Sequence, residues 1–339
     1  WGIGPITHGL NHSMESLSLN LHPGIQVLHL PAGAVWIQRD DLIHPVISGN
    51  KWRKLVGHLM QLKNEEKSVL VTFGGAFSNH LVATAVAAQD AGLRCIGILR
   101  GEEKISNHYL DIAERAGMEL VGVSRSLYRD KTLSLQWVLN QLSLLAEEVF
   151  VVDEGGRGPL GFVGFDALVS DWLAMDISVQ HIFHASATAT TAVGLRKAMD
   201  AAGMKAEIHA VMVLKNLEEQ LSFAAAHGVE AAEELGLSRQ EDVSADTNLA
   251  FVSGHEFGGY AKSDVELEAL VQWVSLRNNI PFESVYTGKA LYALNEWLIA
   301  QKELGQRLDD VSGGIYPVMF LHTGGTLNYS GVTLPVIES

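Results

Sequence analysis

The sequence predicts an α/β protein of two lobes, a three-layer αβα arrangement in which each lobe is a mostly parallel sheet flanked by helices. Three observations carry that expectation. Strand-like apolar runs alternate with helix-like amphipathic runs from residue 55 to about 165, and a second alternating series begins near residue 181. Between them lies a glycine-rich break, Val151-Val152-Asp153-Glu154-Gly155-Gly156-Arg157-Gly158-Pro159-Leu160-Gly161. Alternation of this kind implies βαβ crossovers, and hence parallel strands with helices on both faces. At 339 residues the chain is long enough for two such lobes, each with its own core.

In chain order, residues 1–35 are irregular, punctuated by Pro5, Pro23 and Pro31, with an apolar run from Ile25 to Leu30. Val35-Trp36-Ile37-Gln38 reads as a strand closed by Arg39-Asp40-Asp41-Leu42. The first series places helices over 51–63, 80–91, 105–116 and 129–147, and strands over 68–73, 94–99, 118–123 and 149–152. Gly92 and Gly117 fall where helix C-caps belong. In the second series His181–His184 is a short strand, and Ala185–Gly194 leads into a helix to Ala202. Ile208–Leu214 is the next strand, 216–227 a helix ended by Gly228, and the acidic, alanine-rich 230–248 a surface segment. Helices over 263–278 and 288–304 flank Pro281 and Tyr286, and Pro317–Leu321 is the last strand.

Composition narrows the function. Hydrophobic residues at 47% with 19% charged describe an ordinary soluble globular enzyme. A net charge of −15 argues against nucleic acid or an anionic membrane as partner, since both need a basic face. The single Cys95 excludes an intrachain disulfide and reads as a buried strand residue. No apolar stretch is long enough to span a bilayer and no cleavable signal is evident, so a cytoplasmic protein is expected.

Two stretches stand out chemically. Ser48-Gly49-Asn50-Lys51-Trp52-Arg53-Lys54-Leu55 sets a lysine at a loop-to-helix junction, with Leu55, Leu59 and Leu62 at i, i+4 and i+7. A lysine amine becomes nucleophilic when desolvated or beside another cation, and Arg53 and Lys54 are such cations. Lys51 is therefore a candidate for Schiff-base chemistry. Thr72-Phe73-Gly74-Gly75-Ala76-Phe77-Ser78-Asn79-His80 joins an apolar strand to an alanine-rich helix, a way to aim N–H groups and short polar side chains at an anion. Two later stretches join them: Val285-Tyr286-Thr287-Gly288-Lys289-Ala290 and Phe320-Leu321-His322-Thr323-Gly324-Gly325.

These four stretches, in this order, resemble the fold-type II pyridoxal-phosphate enzymes, in the branch of 1-aminocyclopropane-1-carboxylate (ACC) deaminase and D-cysteine desulfhydrase. Arg39-Asp40-Asp41-Leu42 resembles the same family, as does the glycine-rich break, where the family's chain returns from its small lobe to its large one. The resemblance implies a tryptophan synthase β-like fold, with a large cofactor-binding domain of 1–53 and 165–339 and a small domain of 54–164. It also implies pyridoxal 5'-phosphate in the cleft, a small amino-acid substrate and a homodimer.

Residue by residue, Lys51 matches the family's Schiff-base lysine, with Lys289 a competitor that spacing alone leaves open. Thr188-Ala189-Thr190-Thr191 matches the phosphate loop, with Ala and Thr where the family often has Gly, and Asn50 and Lys54 are expected to assist there. Asn79 matches the partner of the cofactor's ring hydroxyl, and Ser78 a hydroxyl beside the substrate. His80, next to the substrate, replaces the glutamine usual in ACC deaminases. Thr287 stands where the ACC deaminase pattern has Glu, and Thr323 follows in the last motif. A hydroxyl facing the ring nitrogen cannot favour a pyridinium as a carboxylate does, so a weaker electron sink is expected.

A weaker sink suits β-elimination, in which the leaving group relieves the carbanion, and both late motifs resemble D-cysteine desulfhydrase more closely. Tyr286 is an acid/base or stacking candidate, with Lys51 the alternative proton carrier. The expected products are a keto acid, ammonia and the leaving group. Alternatives are ACC ring opening, β-replacement, or a cofactor-binding or amino-acid-sensing protein with little turnover. No histidine spacing suggests a metal ligand set, and His181 and His184 read as structural.

Overall fold

The computed structural model describes residues 19–102, 107–175, 179–235, 238–239, 247–305 and 314–325. Expectations for residues 1–18, for the first residues of the helix over 105–116 and for most of 236–246 lie outside them. The chain divides into two compact units, one holding His44–Gly164 and the other Leu21–Ile43 with the residues from Phe165 onward. Residues 44–53, expected with the large domain, belong to the first unit. They lead into a helix whose Gly57 lies against the Leu160 carbonyl so closely that a Cβ there would sit 2.2 Å from that oxygen.

β1 (Ile25–Leu30) and β2 (Gly33–Gln38) form an antiparallel hairpin that opens the second unit's sheet. The first unit then runs α1 (Asn50–Asn64), β3 (Val69–Gly74), α2 (Asn79–Asp90), β4 (Arg94–Arg100), α3 (His108–Arg115), β5 (Met118–Val123), α4 (Arg125–Arg129), α5 (Lys131–Leu142) and β6 (Val149–Val152). Its four strands are all parallel, in the order β5-β4-β3-β6. Every residue of β3 is buried, as a central strand covered on both faces requires. Val69, Val71, Phe73, Ile96, Ile98 and Val138 share one core. Cys95 lies buried on β4, where desolvation pushes its thiol up to about 12, far from a nucleophilic range.

Side chains start these helices. Ser78, Asn107, Ser124 and Asp130 each accept an N–H of the following first turn, a cap worth about 1 kcal/mol. The expected single helix over 129–147 is instead interrupted and short. Asp130 takes an extended conformation to cap α5, and Ser143 ends it in the left-handed region at φ 53°.

The second unit continues with α6 (Gly164–Ala174), β7 (His181–Ser186), α7 (Thr190–Ala201), β8 (Glu207–Met212), α8 (Leu217–Ala226), β9 (Ala232–Leu235), β10 (Ser238–Arg239), β11 (Leu249–Ser253), α9 (Val265–Asn278), α10 (Thr287–Glu303) and β12 (Ile315–Leu321). The sheet order is β1-β2-β12-β7-β8-β11-β9-β10, parallel except for the hairpins at its two edges. The last strand thus inserts between the second and seventh. Its pairing with β2 shifts between Ile315 and Met319, around Pro317, which has no N–H to give. Phe183, Val211, Val252, Leu291, Leu294 and Phe320 fill one core. Within the acidic segment expected only at the surface, β9 enters the sheet, and β11 just beyond it is wholly buried. Among the described residues no helix is long and apolar enough to cross a membrane.

Candidate active site

In the first unit the lysine loop ends at Gly49, whose φ of 64° and ψ of −142° suit glycine, and α1 starts directly after it. Lys51 is half-buried and donates from Nζ to Asn50 Oδ1 at 2.8 Å. One turn on, Lys54 is buried. Desolvation, and then the charge of Lys51, hold its amine well below the ordinary lysine range. Gly156 of the glycine-rich break passes directly over it, and a Cβ there would come within 3.0 Å of Lys54 Cβ. The break therefore closes over a lysine rather than merely connecting elements.

Ser78 caps α2, its hydroxyl accepting the Leu81 N–H at 3.3 Å, and Asn79 opens the helix half-buried. His80 is buried, and its environment fixes its protons. The single hydroxyl proton of Thr72 goes to the Val152 carbonyl at 2.8 Å. The Thr72 oxygen, 2.8 Å from His80 Nε2, must then accept, so Nε2 carries the hydrogen and Nδ1 the lone pair. Nδ1 is buried with no hydrogen-bond partner among the described residues. Desolvation first, then the charges of Lys51, His58 and Lys54, hold His80 well below the usual imidazole range, so it is neutral.

In the second unit β7 ends at Ser186, whose hydroxyl donates to Gln220. Asn216 fixes the following turn by donating to the Ala187 carbonyl at 3.0 Å. Ala189 occupies the N-cap of α7 in the left-handed region at φ 58° and offers no side-chain acceptor to the first turn. Thr190 and Thr191 are buried there, and the Thr188 and Thr190 hydroxyls lie 3.2 Å apart. A helix start without a side-chain cap, bordered by hydroxyls, fits a phosphate dianion, which supplies the acceptors.

At the start of α10, sequence reasoning missed the buried Glu283. Its carboxylate accepts the N–H groups of Val285 at 2.6 Å, Tyr286 at 2.9 Å and Thr287 at 2.7 Å, and the Thr287 hydroxyl at 2.9 Å. Burial raises its pKa and these donors oppose the rise. A Glu four residues ahead of a helix-opening Thr is the signal that could have revealed it. The Thr287 oxygen also accepts the Glu283 N–H at 3.3 Å, so this hydroxyl is committed within the cap. Thr323 lies buried beyond β12, between His322 and two glycines at φ 89°. His322 is held by the Pro281 carbonyl at 2.8 Å on Nε2 and by the Gly324 N–H at 3.2 Å on Nδ1. Tyr286 is half-buried, its ring edge-on to Tyr260 at 6.0 Å.

Lys289, the competitor of Lys51, is fully buried, and its ammonium donates to the Glu256 and Gly259 carbonyls at 2.7 Å each. It ties down a loop. Arg39 and Asp41 form a buried bidentate pair at 2.8 and 2.7 Å, so this motif holds the end of β2 together.

Comparison with known proteins agrees with this chemistry. Residues 22–324 match the family described as pyridoxal-phosphate dependent enzyme. A Pyrococcus horikoshii protein, provisionally assigned as an ACC deaminase, is 28% identical over 312 residues, covering 89% of both chains. A D-cysteine desulfhydrase of Salmonella paratyphi A is 27% identical over 302 residues, covering 87% of this chain and 88% of its own. The crystal structure of an ACC deaminase homologue superposes with a TM-score of 0.68 at 25% identity, covering 89% of each chain. O-ureido-L-serine synthase shares the fold, with a TM-score of 0.60 at 14% identity and coverage of 91% of this chain and 90% of its own. The parallel sheets, the match along most of the chain and a helix start suited to phosphate lead to one conclusion: the chain belongs to the pyridoxal-phosphate dependent enzymes of fold type II, and pyridoxal phosphate is its cofactor.

Proposed function

We propose that the protein is a lyase that removes the β-substituent of a small amino acid, most like D-cysteine desulfhydrase, with Lys51 as its Schiff-base lysine. The observation that carries this reading is the chemistry offered to the ring nitrogen. Glu283 has its carboxylate engaged by three N–H groups and the Thr287 hydroxyl, and Thr287 is bound to it in turn. Thr323, buried in the last motif, is then the remaining hydroxyl for the ring nitrogen. A neutral hydroxyl favours a reaction in which the substrate carries its own leaving group.

Bound at Lys51, pyridoxal phosphate supplies an electron sink for the pair left at Cα. The Lys51 amine, which would hold the group, is also the base placed to accept the Cα proton of the substrate. Buried Lys54, its amine pKa depressed by desolvation and then by the charge of Lys51, binds protons weakly and so competes poorly with Lys51 for that proton. Asn79 holds the cofactor's ring hydroxyl. The Ser78 hydroxyl binds the substrate carboxylate, with neutral His80 two residues on in the first turn of α2. The first turn of α7, with Thr188, Ala189, Thr190 and Thr191, holds the phosphate, assisted by Asn50. Tyr286 gives its phenolic proton to the departing sulfur as the C–S bond breaks. The released enamine takes up one water to give the keto acid and ammonia. The family resemblance also supports a cytoplasmic location and a homodimer, and a solution mass of two chains would bear out the dimer.

The test is an absorbance spectrum of the purified protein, titrated with D-cysteine, L-cysteine, D-serine and ACC while keto acid is assayed. A cofactor band that shifts with a thiol-bearing amino acid and yields keto acid and sulfide supports the reading. Keto acid from ACC alone would replace it by ring opening.

A further inference from the structure

Far from the phosphate loop, at the opposite end of β7, two histidines and a glutamate converge. His181 opens β7, Glu207 opens β8, and His209 follows two residues later on the same face. The parallel register sets His181 opposite Glu207 and Phe183 opposite His209. His181 Nδ1 lies 3.2 Å from His209 Nε2, and Glu207 Oε2 lies 3.6 Å from the first and 3.9 Å from the second. The circle through these three atoms has a radius of about 2.1 Å, the bond length of zinc to imidazole nitrogen and carboxylate oxygen.

A further contact prepares the ligand atoms. Glu234, buried on β9, sits 3.1 Å from His209 Nδ1. With Nδ1–H donated to that carboxylate, the Nε2 lone pair faces His181 and Glu207, the carboxylate–histidine arrangement that orients metal ligands. Phe183 stacks on the His209 ring at 4.3 Å and 9°, and Trp297 lies 4.7 Å from the His181 ring, so both imidazoles are held by packing. The His181 and Glu207 side chains are 21% and 23% exposed, which leaves solvent access for entry and for a fourth ligand.

We propose that His181, Glu207 and His209 form a binding site for a divalent cation of the zinc class, with Glu234 orienting His209 and water completing the shell. Two neutral imidazoles and one carboxylate select zinc and its neighbours over magnesium or calcium, which take all-oxygen sets. The site is structural: it pins the starts of β7 and β8 and draws in β9. The six residues of β7 put it about 17 Å from the phosphate loop, too far for the ion to touch reacting atoms. Sequence spacing could not show it, because the two histidines are separated by a whole helix and meet only through strand pairing.

The test is titration of the chelator-treated, tag-free holoenzyme with Co2+, following ligand-field absorption to the red of the cofactor band and quenching of Trp297 fluorescence, assigned with Trp297→Phe. One Co2+ per chain, displaced by Zn2+, is expected. Glu207→Gln and His181→Asn, both at partly exposed positions, should weaken binding at least 100-fold, and Glu234→Gln about 10–100-fold, while each keeps the cofactor absorbance that reports folding. No Co2+ uptake by the folded holoenzyme would overturn the proposal, as would unchanged uptake in Glu207→Gln and His181→Asn.

Discussion

Replacing Thr72 by Val keeps the shape of the side chain and removes the one hydroxyl that joins β6 to α2. In the protein that hydroxyl donates to the Val152 carbonyl and accepts from His80 Nε2, both at 2.8 Å. Thr72 and His80 are 0% and 2% exposed, so water cannot replace it. The variant leaves the His80 N–H without an acceptor, a cost of about 1–3 kcal/mol for a buried donor. The added methyl returns about 0.8 kcal/mol of burial, leaving a net loss of roughly 1–2 kcal/mol. Amide hydrogen exchange of peptides spanning 69–74 and 149–152 reads the opening free energy of this unit by itself. A double-mutant cycle with His80→Leu isolates the His80–Thr72 contact, with an expected coupling of about 1 kcal/mol. A coupling within about 0.3 kcal/mol of zero would refute the reasoning, because Thr72 would then be serving Val152 alone.

Lys51→Ala should abolish both cofactor absorbance and activity, whereas Lys289→Met should keep the absorbance and lose about 2–3 kcal/mol in urea unfolding, because one buried and one partly buried carbonyl lose a charged donor. The reverse pattern would exchange the roles of the two lysines. Ala189→Gly relieves the left-handed N-cap of α7 and should raise the melting temperature by an amount corresponding to about 1 kcal/mol; a lower melting temperature would contradict the strain. His44, His58 and His80 all titrate below the ordinary histidine value in the folded protein, chiefly through burial. The unfolded chain therefore binds protons that the folded chain refuses, and stability should fall as pH drops below about 6.5, by at most about 1.4 kcal/mol per pH unit per histidine. Melting temperatures from pH 7.5 to 5.5 would show it, and His80→Gln should make the decline shallower.

Much of the first unit was legible because its signals are local. The apolar runs of β3 to β6 and the C-caps at Gly92 and Gly117 need no tertiary knowledge, and four short motifs point to the cofactor. The rest depended on contacts between distant residues. The early end of α5 was hidden because Leu142, Leu144 and Leu145 continue the apolar run, and only the left-handed backbone of Ser143 stops the helix. β11 escaped because four apolar residues, Leu249 to Val252, beside an acidic stretch carry no period that separates strand from core helix. Spacing alone left Lys289 open as a competitor of Lys51, and its hold on two carbonyls is visible only in the structure. Glu283 went unnoticed, since nothing local says that it folds back onto three N–H groups.

The alignment of two strands determines which nitrogen of a histidine is basic. Thr72 and Val152 are register partners across β3 and β6, and this pairing aims the hydroxyl proton and hence leaves the lone pair of His80 on Nδ1. The imidazole belongs to α2, yet the strand ladder selects its tautomer. A one-residue slip of β6 would reverse the face that each of its side chains presents and carry the Val152 carbonyl out of reach. The polarity of the hydrogen-bond chain is thus inherited from the backbone, and substitutions along β6 that keep its register should leave the tautomer of His80 unchanged.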